Sequence, residues 1–65
     1  QSIFLNFVKD NKLIVKVLMM NGGVLEGIVK GFDKFSIDFE EQISGKIYLL
    51  FKQGVININY TPEVK

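Results

Sequence analysis

The spacing of apolar residues changes once along this chain. Over residues 2–11 they recur four apart, with Ile3 above Phe7 and Phe4 above Val8. That stripe predicts a short helix. Ser2 is a suitable N-cap, and Lys9 and Lys12 sit near the C-terminus, where the helix dipole favours cations. So short a helix is marginal alone and must dock its stripe on the remainder of the chain. From residue 13 onward the pattern shortens to alternation. Residues 13–20 predict a first strand, with Leu13, Val15, Val17 and Met19 on a core face. Its other face carries Ile14, Leu18 and Met20, interrupted by Lys16. Further strands are predicted over 24–32, 35–40, 46–51 and 55–60. In the third, Phe35, Ile37 and Phe39 oppose Ser36, Asp38 and Glu40. In the fifth, Ile56 and Ile58 oppose Val55, Asn57 and Asn59. Pro62 ends the fifth, leaving 61–65 as a loose tail.

The stretch 21–35 organises the sheet. Asn21-Gly22 between apolar runs is a hairpin signal, and a type I′ turn would give both residues positive φ. The second strand holds Gly27 and Gly31. A glycine inside a strand marks a sharp bend or a close backbone approach. Four apart, the two are expected on one face. Asp33-Lys34 is a tight polar connection, residues 41–45 form a loop, and 52–54 form a turn. All connections are short, so the strands are expected to be antiparallel. A helix followed by a strongly bent five-stranded antiparallel sheet is a small open barrel. It is a single, mostly β domain over 1–65. Strands four and five are then candidate edges. Edges this apolar need a partner, which a closed ring supplies.

Composition points the same way. A chain of 65 residues buries only about 60% of its unfolded surface. Yet 48% of it is hydrophobic, and there is no Cys or His for disulfide or metal support. Oligomerisation is the remaining device. The net charge of +1 does not by itself suggest nucleic acid. All eight basic residues are Lys, so every phosphate contact is a point charge rather than a bidentate fork. No apolar run reaches the roughly 18 residues of a membrane span. With no signal-peptide pattern and no Cys, a cytoplasmic setting is expected. The chain begins with Gln rather than Met, so further residues upstream are expected.

Asn21-Gly22, Leu25, Gly27 and Phe32-Asp33-Lys34-Phe35 together resemble a known family, the bacterial Sm-like RNA chaperone Hfq. The opening Gln1-Ser2-Ile3-Phe4-Leu5-Asn6 and Phe51-Lys52-Gln53 extend the likeness over nearly the whole chain. The resemblance implies an Sm-like fold and a homohexamer, in which strand four of one subunit pairs with strand five of the next. It also implies that U-rich single-stranded RNA, or RNA ends, bind near the pore and that the ring promotes RNA–RNA pairing. The expected partners are RNA and further copies of the chain, with no membrane, small-molecule substrate or cofactor.

For Phe35 two readings stand side by side. One is a core aromatic following a surface Lys; the other is a platform on which bases stack beside a cation. The resemblance implies the second, with Lys34, Lys52, Gln53 and Gln1 around the base. The family carries Tyr-Lys-His where this chain has Phe51-Lys52-Gln53, so a phenol and an imidazole are absent. On the opposite ring face the family binds A-rich RNA with an aromatic and a Lys. Leu18 and Val24 stand there, although Gly22, Leu25 and Asn57 match the location. At the rim an Arg-rich helix end is replaced by Lys9-Asp10-Asn11-Lys12, with Asn6 retained. Asp38, Glu40 and Glu41 form an acidic cluster that reads as a solvated loop, since no cation-binding ladder accompanies them. Ser2, Ser36 and Ser44 have no evident base partner, so no enzyme is expected. The alternative function is an Sm-like structural or protein-interaction ring with little RNA affinity.

Overall fold

The computed structural model describes residues 2–60, with side chains from Ile3 onward. The expected Gln1 contact and the tail 61–65 lie outside the described residues, as does the side chain of the expected Ser2 cap. Helix α1 (Ser2–Asp10) precedes β1 (Ile14–Met19), β2 (Val24–Phe32), β3 (Ser36–Glu41), β4 (Ile47–Phe51) and β5 (Val55–Tyr60). Every pairing is antiparallel, in the order β4-β3-β2-β1-β5. Strands β2 and β5 have the bounds that alternation predicts. Strand β3 begins one residue later than expected and takes in Glu41. No described helix is long and apolar enough to cross a membrane.

The core is formed by Val15 and Val17 of β1, Val29 of β2, Ile37 and Phe39 of β3, and Leu50 of β4, with Leu5 and Val8 of α1 above them. The expected core face of β1 is therefore the buried one. The helix meets half of its expectation. It docks through Leu5 and Val8 with Phe4 packed beside them, while Ile3 and Phe7 are exposed. Five of its residues are apolar, so periodicity alone does not choose the docked face. Phe7 instead meets Tyr60 edge-to-face, with ring centroids 6.1 Å apart. The helix ends in a Schellman motif: Leu13 N–H donates to Val8 C=O at 3.0 Å and Lys12 N–H to Lys9 C=O at 3.2 Å. The C′ position, normally glycine, is Lys12 at φ 51°.

Three local features differ from the simple alternation. First, Lys12 is the one non-glycine with positive φ among the described residues, so the hairpin is not type I′. Met20, Asn21 and Gly22 form a three-residue loop closed by Met19 N–H on Gly23 C=O at 2.8 Å. Gly22 takes φ 88°, and Asn21 Oδ1 accepts from Gly23 N–H at 2.8 Å. Second, the register of β2 on β3 slips between Val29 and Gly31, making Lys30 a bulge residue. Gly27 pairs with Glu41 and Gly31 with Asp38, so the two glycines occupy opposite faces rather than one. Gly27 is the essential one. A Cβ there would overlap the Glu40 carbonyl, whereas at Gly31 it would make only ordinary contact with Asp38. Third, the register of β5 on β1 slips at Ile56. Val55, Ile58 and Tyr60 all pack toward the core, and Ile56 is exposed, not paired in facing with Ile58.

Strands β4 and β5 form the two edges of the sheet. Ile47, Leu49 and Phe51 project outward from β4, and Ile56 from β5. Of the acidic cluster, Glu40 pairs with Lys30 at 3.4 Å and Glu41 accepts from Ser44 Oγ at 2.6 Å.

Candidate nucleic-acid interface

Two turns built by their own side chains bring the site together. The link from β2 to β3 is held by Asp33. Its Oδ1 accepts from Phe35 N–H at 2.8 Å, from Ser36 N–H at 2.7 Å and from Ser36 Oγ at 3.0 Å. Its own N–H donates to Ser36 C=O at 2.9 Å. These donors, Phe35 N–H first, hold the Asp33 carboxyl below its ordinary pKa of 3.8, and Lys52 adds a smaller attraction. The turn carries Phe35 out of the β3 alternation, so its ring is 68% exposed. The core reading of Phe35 is thereby excluded.

The second turn is the single 3₁₀ turn Lys52–Gly54 between β4 and β5. Lys52 N–H donates to Phe35 C=O at 2.8 Å, which joins the two turns. Lys34, Phe35, Phe51, Lys52 and Gln53 then line one pocket of about 320 Å³. Lys34 Nζ lies 5.6 Å from the Phe35 ring centroid, and Lys52 Nζ 5.5 Å from that of Phe32. Both ammonium groups thus sit over aromatic rings, Lys34 over one that lines the pocket and Lys52 over one outside its lining. The lining offers two rings, two cations and one amide that both donates and accepts, with no carboxylate. Such a set suits a planar base and its phosphates.

Four of the expected pore-face residues therefore meet in one pocket. Phe51 joins them without having been singled out as a site residue; its place at the end of β4, beside the Lys52 turn, is the signal that would have found it. The far-face residues are less united. Leu18 is flanked in register by Val24 on β2 and Asn57 on β5. Gly22 is exposed at the hairpin tip, but Leu25 lies opposite Val17 and packs on the core. At the rim, Asn6 and Lys12 are exposed, and Lys9 pairs with Asp10 at 3.2 Å. Lys9 and Lys12 share a shallow depression of about 170 Å³ with Ile28, Val29 and Lys30. Among the described residues no three Asp or Glu side chains converge as metal ligands.

The chain has clear likenesses among known proteins. The family model described as Hfq protein matches residues 1–65. An RNA-binding protein Hfq of Clostridium botulinum (strain Hall) is 37% identical over 59 residues, covering 91% of this chain and 67% of that protein. One from the Eklund 17B strain is 36% identical over 63 residues, covering 97% and 77%. A Clostridium perfringens RNA-binding protein Hfq is 36% identical, covering 91% and 71%. The crystal structure of a pleiotropic translational regulator, Hfq, superposes with a TM-score of 0.83 at 28% identity, covering 89% of this chain and 93% of that one.

Proposed function

The chain belongs to the Hfq family, and from that premise we propose that it is an RNA-binding chaperone ring of post-transcriptional regulation. It binds U-rich single strands, or RNA ends, at the pore face and works in the cytoplasm. The observation that carries this reading is the pocket of Lys34, Phe35, Phe51, Lys52 and Gln53. A base stacks on the exposed Phe35 ring, worth about 1–3 kcal/mol per base. Lys34 and Lys52 neutralise the adjoining phosphates, and the Gln53 amide meets a base edge. For a place of Gln1 beside the base, the support is family likeness alone.

The ring is a homohexamer, with β4 of one subunit continuing the sheet at β5 of the next. Two unpaired apolar edges on one small domain support that closure. Repetition multiplies each pocket around the pore. It also holds two RNAs at high effective concentration, which promotes their pairing. At the far face Gly22, Leu25 and Asn57 remain, without the stacking ring and cation. At the rim Asn6, Lys9 and Lys12 add weak contacts. The reading is tested by light scattering and a salt titration of oligo-U binding. The expected outcome is a mass about six times that of the chain, from ring closure. The logarithm of the affinity should fall linearly with that of salt, by about 0.7 for each phosphate neutralised. An assembled ring that binds no oligo-U would hand the function to the structural-ring alternative.

A further inference from the structure

Phe35 is 68% exposed in the single subunit, so little packing within that subunit holds its ring in place. Its direction is set by its backbone, and at Phe35 both backbone polar groups are engaged. The N–H donates to Asp33 Oδ1 at 2.8 Å, and the C=O accepts from Lys52 N–H at 2.8 Å. The same Asp33 oxygen also takes the Ser36 N–H and hydroxyl, at 2.7 and 3.0 Å. Asp33 itself is not among the residues lining the pocket. We propose that Asp33 is the positioning residue of this pocket. Its Oδ1 fixes the Phe35 platform where a base will meet it and keeps that platform in register with the Lys52 turn. The inference rests on the reading of the pocket as a base-binding site. Its physical content is preorganisation. Without the clamp, Phe35 and its turn must be ordered when RNA binds, and ordering one such side chain weakens binding about two- to tenfold.

The test is a double-mutant cycle on the assembled protein, read by anisotropy of labelled oligo-U. Wild type, Asp33→Ala, Phe35→Ala and the double variant are compared, with ring mass and thermal melting measured for each. Asp33→Ala is expected to weaken binding by that two- to tenfold. In the Phe35→Ala background the same change should cost nothing further, because the platform it positions is gone. Two more variants separate geometry from charge and remain informative if alanine prevents folding. Asp33→Asn keeps an acceptor oxygen at the same reach and should restore binding. Asp33→Glu keeps the charge near Lys52 but displaces the oxygen and should bind as weakly as alanine. An undiminished loss in the Phe35→Ala background overturns the inference, as does Glu restoring binding where Asn does not. Phe35→Ala binding like wild type would instead overturn the pocket reading itself, and this inference with it.

Discussion

The pocket between the Asp33 and Lys52 turns and the outer face around Leu18 are built on the same sheet with opposite chemistry. In the pocket, the Asp33 turn lifts Phe35 clear of the core, the end of β4 projects Phe51 outward, and Lys34, Lys52 and Gln53 stand beside them. On the outer face, Leu18, Val24 and Asn57 stand side by side in regular register, with neither ring nor free cation in the row. Lys16, one row away, pairs with Glu26 at 3.8 Å. A strand surface offers whatever alternation assigns to it. A turn can place a large side chain in solvent and hold it there with hydrogen bonds. One sheet therefore presents an aromatic and cationic pocket at one place and a row with neither ring nor free cation at another.

The strongest way to break the comparison is to remove what both regions share. Gly27→Ala would drive a Cβ into the Glu40 carbonyl, which is backbone and cannot swing aside. Overpacking of this kind costs about 1–3 kcal/mol, and more where backbone must move. Urea denaturation should show that loss, and both faces should fail together. Loss of one face alone would mean that the bend at Gly27 is not their common foundation.

A sharper change acts on one face only. Leu18→Phe combined with Val24→Lys installs a ring and a cation where the sheet already sets these positions side by side. Oligo-A binding should strengthen by about 1–3 kcal/mol per stacked base. Oligo-U binding and melting temperature should stay near wild type. If oligo-U affinity moves as much as oligo-A affinity, the two regions are not independent.

The smallest effect should touch neither region. Lys12→Gly relieves a positive φ at the helix C′ position and should stabilise the fold by about 1 kcal/mol, read from the urea midpoint. Binding of an oligo-U too short to reach beyond the pocket should be unchanged, because the weak contact proposed for Lys12 lies at the rim. Loss of oligo-U affinity from that one substitution would show that the rim contributes to the same site.

Much of the fold is legible in the residues, and the exceptions share a cause. Strands β2 and β5 follow from alternation bounded by Asn21-Gly22, Asp33-Lys34 and the 52–54 turn. The bulges at Lys30 and Ile56 do not, because one extra residue in a strand leaves the local composition unchanged. They nevertheless decide which way Gly31 and Ile56 face. The helix end is hidden for a related reason, since Lys12 occupies a position whose usual signal is glycine. At the site, Lys34, Phe35, Lys52 and Gln53 are marked by family likeness. The exposure of Phe35 is not, because a Phe opening an alternating strand reads equally well as core. The three hydrogen bonds on Asp33 Oδ1 resolve it, and they depend on the turn's three-dimensional shape.

Those bonds also carry a pH signature. The Asp33 pKa is lowered on folding, so the stabilisation is complete well above the unfolded value of 3.8 and is lost as pH falls through the lower folded one. With no His in the chain, binding should change little between about pH 5.5 and 7.5.

The most direct measurement is a side-by-side titration of the wild-type assembly with oligo-U and oligo-A of equal length at one salt concentration. The phosphate contribution is then the same for both, and the difference reports on the bases. The account predicts that oligo-U binds at least tenfold tighter, the equivalent of about 1.4 kcal/mol and the lower end of one stacked base. Equal or tighter binding of oligo-A would contradict it, because the face whose Leu18 row holds neither a ring nor a free cation would then be the better RNA site.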